Sequence, residues 1–282
     1  MNIIGIIGGS AFYSMDDLVV KERVKLKTPY GDPSGEYVIG ELSGKEVVFL
    51  PRHGINHQYL PSDVNYRANI FGFKMLGVKR LLSVSAVGSL KEELRPLDIV
   101  LVDQFIDRTN QARKMTFLGN GAVGHIPFAE PICTELRTAV NKATKKLDVT
   151  VHNGGTYLNM EGPAFSTKAE SLLYKSWGVD VIGMTNLAEA KLSREAGICY
   201  STIAMVTDYD CWRDEGESVT TEMIIANLNK NVENGKIILK NTINSLSDER
   251  SCECGETLKN AFFTPLETLS KEVAETMKML MN

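Results

Sequence analysis

The chain has no apolar run approaching the ~20 residues that a membrane-spanning helix needs, and no surplus of positive charge. Its 31 Lys and Arg face 35 Asp and Glu, for a net charge of −4. No strong positive field therefore favours nucleic acid or an anionic membrane. An anionic small ligand needs a local cationic pocket instead. A basic leader is also lacking: Met1-Asn2-Ile3-Ile4-Gly5 enters a strand pattern at once, so the expected location is cytoplasmic. Cysteine is scarce, with five residues at Cys133, Cys199, Cys211, Cys252 and Cys254. An odd count in a cytosolic chain argues against a disulfide framework. Cys252-Glu253-Cys254 is too lean for a zinc site without two further ligands, so no metal site is expected. There is no internal repeat and no low-complexity linker.

What is present is ordinary globular material, 43% apolar and 23% charged over 282 residues. That length suits one domain over 1–282, with a C-terminal helical extension from about 247. Short β-branched runs suit buried strands at Ile3–Ile7, Val47–Leu50, Leu81–Val84, Ile99–Val102, Val181–Met184 and Tyr200–Val206. Helical patterns fall at Asn65–Leu76, Thr134–Leu147 (Thr134 as N-cap), Ser166–Trp177, Leu187–Glu195 and Thr220–Leu246, where Gly235 is a weak point. Another is expected over Leu266–Leu280, after Pro265. Asn110–Gly124 reads as a loop, and Ser247–Glu256 as a surface connection. The alternation predicts an α/β fold with a parallel or mixed central sheet flanked by helices.

Several strands end in groups suited to an anion. Gly8-Gly9-Ser10 follows the first, where glycines let N–H groups approach an oxyanion and Ser10 adds a hydroxyl. It matches neither the dinucleotide fingerprint nor the P-loop. Arg52-His53-Gly54 follows another, and Arg52 there suits a bidentate phosphate clamp with His53 as a second donor. His57 lies four residues on, but Gly54 between them disfavours a helical metal pair. Ser85 and Ala86 follow the third strand, and Thr185 ends a fourth. This convergence points to phosphate held without metal. Phe165, in Glu161-Gly162-Pro163-Ala164-Phe165-Ser166, could stack on a planar base. Thr207-Asp208-Tyr209-Asp210 closes the last long run. Two acids at i and i+2 of a strand share a face, at the sheet edge where open α/β folds bind ligands.

In order and spacing these motifs resemble the trimeric purine nucleoside phosphorylases, and within them the branch that acts on 5′-methylthioadenosine. The resemblance runs from residue 3 to about residue 245. It implies the nucleoside phosphorylase fold, a homotrimer or a dimer of trimers, and no cofactor, inorganic phosphate being a co-substrate. It implies a phosphate site of Ser10, Arg52, His53, Ser85, Ala86 and Thr185. Met184 would touch the ribose, Phe165 would flank the base, and Asp208 and Asp210 would be the catalytic pair reading its edge. His125 would reach the neighbouring subunit's site. Ser166, Thr221, Ile224 and Ile225 would set specificity around the base and 5′ group, Thr221 being more polar than the residue often found there. Cys133 and Cys199 fall near positions resembling those paired in some heat-stable members, and Cys252-x-Cys254 resembles their C-terminal cysteine motif. Reduced thiols are expected here.

Asp208 stands where members selective for 6-oxopurines usually carry Asn. Asp can accept from a 6-amino group and, when protonated, donate to N7. Asp208 thus favours adenine, and with it the resemblance implies reversible phosphorolysis of 5′-methylthioadenosine to adenine and 5-methylthioribose 1-phosphate, while Thr221 leaves room for adenosine itself. The alternatives are a broader or 6-oxopurine-selective phosphorylase, a hydrolytic nucleosidase, and a non-catalytic nucleoside sensor.

Overall fold

The computed structural model describes residues 3–9, 12, 15, 17–110, 112–145, 147–213 and 221–282. Ser10 lies outside them, and of Thr221 only the backbone is described. Eleven strands form one mixed sheet. They are β1 (Ile3–Gly8), β2 (Val19–Val24), β3 (Tyr37–Leu42), β4 (Lys45–Pro51), β5 (Val78–Ser89), β6 (Ile99–Leu101), β7 (Gln104–Arg108), β8 (Val151–Asn153), β9 (Thr156–Met160), β10 (Val181–Gly183) and β11 (Cys199–Tyr209). Among the described residues six α-helices cover it: α1 (Tyr66–Met75), α2 (Thr134–Thr144), α3 (Lys168–Ser176), α4 (Asn186–Glu195), α5 (Thr221–Ser245) and α6 (Lys271–Met281).

The main path runs β2-β3-β4-β1-β5-β10-β9-β7. Strand β11 pairs in parallel with nearly all of β5 and then carries β6 and β8. Both faces are dry. One packs Val140 of α2 and Val232, Ile238, Leu239 and Ile243 of α5 against Ile4, Ile6 and Ile203. The other packs Ile70 and Phe73 of α1, Leu192 of α4 and Leu280 of α6 against Ile7 and Leu81. Burial on both faces explains why these strands read as continuous apolar runs rather than alternations.

Strand β5 is the structural pivot. Its first half pairs with β1, from Arg80↔Ile4 to Ser83↔Ile7. Its last two residues pair antiparallel with β10 on that side, Gly88↔Ile182 and Ser89↔Val181. Between Ser83 and Gly88 no strand covers this edge among the described residues. The sheet forks there, and the Val84 carbonyl at the gap accepts from Arg52 Nη1 instead of a neighbouring strand.

The helix boundaries differ from the sequence expectation at three places. Cys133, not Thr134, caps α2, and its side chain makes no cap hydrogen bond. Helix α3 begins at Lys168, because Thr167 and Glu170 form a reciprocal capping box. Leu266–Thr268 is a 3-10 turn, and α6 starts only after Ser270, whose hydroxyl accepts from the Val273 N–H. Helix α5 runs through Gly235, where a Cβ would lie 3.0 Å from Phe12 Cε1, so glycine there serves packing. The Ser247–Glu256 stretch is less superficial than expected: Arg80, fully buried, donates to the carbonyls of Ser247 and Glu249.

Candidate functional site

The parallel set β4-β1-β5-β11 brings the residues after Gly8, Pro51, Ser83 and Val206 to one edge. Strand β10 runs the other way against β5, so continuing its register past Ile182↔Gly88 carries Met184 toward Ala86 and Thr185 toward Ser85. The fork in the sheet thus gathers Gly9, Arg52, His53, Ser85, Ala86, Met184 and Thr185. Ala86 is exposed there. The Ser85 hydroxyl is buried without a partner. Thr185 is buried and caps α4 without using its side chain. The first amides of α4 are not all free, since the Leu187 N–H donates to Asn159 Oδ1 at 3.1 Å, so the two uncommitted hydroxyls are what make this corner suited to an anion.

Arg52 departs from the clamp expected of it. It is 3% exposed. Its Nε pairs with Glu189 Oε1, Nη1 donates to the Val84 carbonyl (3.1 Å), and Nη2 donates to Ser83 Oγ (2.7 Å) and Glu189 Oε2 (3.2 Å). A guanidinium has five N–H donors, and these four bonds leave only one. Arg52 therefore does not present an open two-pronged fork. Its bidentate partner is a carboxylate of this chain. Ser83 and Tyr200 also donate to Glu189 Oε2, at 2.8 and 2.9 Å, and Asn186 Nδ2 lies within 2.9 Å of Ser83, Tyr200 and Thr202 oxygens. A buried polar layer thus underlies the corner.

His53 also differs from its expected role as a donor. Its Nδ1 lies 2.9 Å from the Tyr59 carbonyl, which can only accept, so Nδ1 carries the proton. Burial, reinforced by the Arg52 charge, pulls the imidazolium pKa down to about 4. The neutral ring then offers Nε2 as an acceptor, suited to a protonated phosphate oxygen. His57 stacks on it, ring centroids 4.6 Å apart.

On the other side of the fork, β11 carries a bulge. Val206 faces Val87 and Asp208 faces Gly88, so Thr207 is the extra residue. Bulges re-aim side chains beside sites. Here Thr207 Oγ1 donates to Asp208 Oδ2 at 2.7 Å, while two asparagines of α5 secure the bent backbone: Asn231 donates to the Val206 carbonyl and Asn227 to that of Thr207. A Cβ on Gly88 would lie 3.2 Å from Asp208 Oδ1 and 3.4 Å from Asp210 Cβ. Both acids therefore close over this glycine, as their spacing predicts. Burial pushes Asp208 up to about 6, with Asp210 adding to the rise and the Thr207 hydroxyl opposing it. Burial also raises Asp210, whose Oδ2 has no hydrogen-bond partner.

Phe165 is 70% exposed on the loop between β9 and α3, free to cover a base. Ser166 is half-buried beside it, and its carbonyl lies 3.2 Å from Cys211 Sγ. Gly162, with φ +74°, brings the loop so close to Met184 that a Cβ would meet its sulfur at 2.5 Å. Ile224 is half-buried and Ile225 exposed in the first turn of α5. His125 is not part of this gathering. It lines a separate cavity of about 450 Å³ with Cys133, Cys252, Cys254 and Phe263.

Glu189, Ser83, Asn186, Asn227 and Asn231 were not foreseen as parts of the site. One signal was readable: Leu187-Ala188-Glu189-Ala190 sets an acid among apolar residues on a helix, where burial demands a partner. Arg113 was also missed. It pairs with Glu161 (Nε to Oε1, 3.0 Å) and donates to the Met184 carbonyl, fixing both loops that flank the fork.

Known proteins resemble the chain closely. S-methyl-5′-thioadenosine phosphorylase of Koribacter versatilis is 52% identical over 277 residues, covering 98% of this chain and 94% of its own. The protein of the same name from Thermosynechococcus vestitus is 53% identical over 282 residues, with 99% and 97% covered. Among solved structures, a methylthioadenosine phosphorylase from an antarctic soil metagenomic library superposes with a TM-score of 0.92 at 46% identity, covering 99% of this chain and 98% of that one. A mutant adenosine/methylthioadenosine phosphorylase from Schistosoma mansoni, in complex with methylthioadenosine, gives a TM-score of 0.83 at 33% identity, with 100% and 97% covered. The family model described as the phosphorylase superfamily matches residues 3–244, from the first strand to the last turn of α5, and the chain belongs to that superfamily.

Proposed function

We propose that this chain catalyses the reversible phosphorolysis of 5′-methylthioadenosine to adenine and 5-methylthioribose 1-phosphate. The carrying observation is the pairing, across one fork of the sheet, of an anion corner with a protonatable acid. Ser85, Ala86 and Thr185 surround the corner, and Asp208, raised to about 6, stands opposite. The whole-length likeness to proteins named for this reaction supports the same reading.

Breaking the N-glycosidic bond develops positive charge on the sugar and negative charge on the departing base. Phosphate in the corner would stabilise the first and then bond to C1′, its position preset by backbone N–H groups and hydroxyls. Ser10 would complete its shell. Arg52 would contribute through its charge and its one remaining N–H. Protonated Asp208 would donate to N7 as the base leaves, and its other oxygen would accept from the 6-amino group. Asp210 would help hold that proton on Asp208 up to about pH 6. Phe165 would cover the base and Met184 the ribose. Ser166, Thr221, Ile224 and Ile225 would line the base and the 5′ end, where the isoleucines suit a thioether. We assign the reaction no metal or organic cofactor, and the assembly as a cytoplasmic homotrimer in which His125 serves the adjacent subunit's site.

Rates for methylthioadenosine, adenosine, methylthioinosine and inosine, each with and without phosphate, test the proposal. Phosphate-dependent cleavage fastest with methylthioadenosine is expected. Undiminished cleavage without phosphate, or a preference for inosine, would overturn it.

A further inference from the structure

We infer that Cys133, Cys199, Cys252 and Cys254 form a tetrathiolate site for a soft divalent metal ion, zinc by preference, that fastens the C-terminal segment to the sheet. In sequence the Cys252-x-Cys254 pair lacked two further ligands. The fold supplies them. Cys133 caps α2, Cys199 opens β11, and Cys252 and Cys254 flank the start of a 3-10 turn. All four Sγ atoms lie within 4.8 Å of one another, and no other such cluster of His, Cys, Asp or Glu occurs among the described residues. Three of the cysteines are buried and Cys252 half-buried.

The geometry matches the ion. With Zn–S bonds of ~2.3 Å, tetrahedral sulfurs stand ~3.8 Å apart. Cys199 and Cys252 Sγ are 3.2 Å apart, and the largest separation needs to shrink by only about 1 Å. Mutual closeness of all four is what one central ion requires, whereas disulfides need closeness only within pairs. The surroundings suit thiolates too. Arg250 Nη1 lies 3.9 Å from Cys199 Sγ while bonding the Gly197 carbonyl at 2.8 Å, a cation oriented at a ligand sulfur. Cys133 stands at the positive end of an eleven-residue helix, in a cap position it does not use for capping. Glu135 fixes the approach by accepting from the N–H groups of Ser251 and Cys252, at 2.7 and 3.1 Å. Binding to four neutral thiols forms four metal–sulfur bonds and releases four protons.

The site has a mechanical consequence. A few residues past Cys254, the tail holds the His125 loop: His125 N–H donates to the Ala261 carbonyl (3.0 Å) and Phe263 N–H to that of Val123 (2.9 Å). The family match ends at residue 244, before Cys252 and Cys254, so the site fastens a segment outside that match.

Full-length protein, prepared with reductant and gel-filtered, should carry about one zinc per chain. Chelation should remove it and lower the unfolding midpoint, and added Zn2+ should restore both. Co2+ in place of zinc should show thiolate-to-metal charge-transfer absorption with tetrahedral ligand-field bands. Cys254→Ser should lose the stoichiometric zinc, while Cys211→Ser keeps it. Reduced protein that takes up neither Zn2+ nor Co2+, or an intact mass showing two disulfides in protein purified without oxidant, would overturn the inference. Should Cys254→Ser fail to fold, the Co2+ spectrum of the unaltered chain still decides.

Discussion

Replacing Asp208 with asparagine should harm activity and raise stability, and the second effect has a definite pH signature. The carboxyl titrates near 6 in the folded protein against an ordinary 3.8, burial being the larger cause. The folded state thus holds a proton that the unfolded chain has already released. Between those two values stability falls as pH rises, and above about 6 the loss is complete. The gap corresponds to about 3 kcal/mol. Asparagine carries no charge to desolvate, and its side-chain oxygen can still accept from Thr207 Oγ1, as Asp208 does at 2.7 Å. The difference in unfolding free energy between variant and parent should therefore grow, in the variant's favour, by about 3 kcal/mol from about pH 4 to about pH 8. Urea unfolding at fixed protein concentration, without phosphate, measures it, and the titrating groups other than the coupled Asp210 cancel in the difference. Meanwhile kcat/KM for methylthioadenosine should drop by ~10²–10⁴, with a much smaller drop for methylthioinosine. A difference that is flat with pH, or that grows in the opposite direction, would refute the account of a strained, buried acid. Equal losses on both substrates would refute Asp208 as the reader of the base edge.

Three further perturbations probe the same site. Glu189→Gln strands the Arg52 charge in the interior, where removing one partner of a buried pair costs about 3–5 kcal/mol, so its urea midpoint should fall sharply; an unchanged midpoint would show that Arg52 finds another anion. Gly88→Ala should wedge Asp208 and Asp210 apart, given the 3.2 Å approach to Oδ1, lowering kcat for methylthioadenosine ~10-fold or more; unaltered kinetics would mean that the acids need not close over β5. Phe165→Ala, at a side chain 70% exposed, should leave stability within about 0.5 kcal/mol while raising the KM for nucleoside, and a stability loss without a KM change would make Phe165 a packing residue.

The long buried strands were legible because burial on both faces makes them uniformly apolar, as in β1 and β11. Strand β2 was not: Val-Val-Lys-Glu-Arg-Val is almost wholly exposed and has no apolar alternation to read. The candidate site's residues stood out in the sequence as small, cationic or acidic residues just after strands. What the sequence could not convey was commitment. Arg52 looks the same whether its fork is empty or filled, and Glu189, 137 residues away, fills it. The cysteines show the same limit. Spacing displays Cys252 and Cys254 as a pair, while Cys133 and Cys199 join them only through the fold.

The uncovered edge of β5 has a thermodynamic reading. Between Ser83 and Gly88 the strand lacks a neighbouring strand on one side among the described residues, and an oxyanion seated there would accept from N–H groups that the missing ladder would have used. Substrate would then be a part of the sheet for the length of a turnover. Amide exchange across Val84–Val87 should accordingly slow when phosphate binds and resume when the sugar phosphate leaves, so the catalytic cycle would be a repeated mending and opening of one seam in the protein's own backbone.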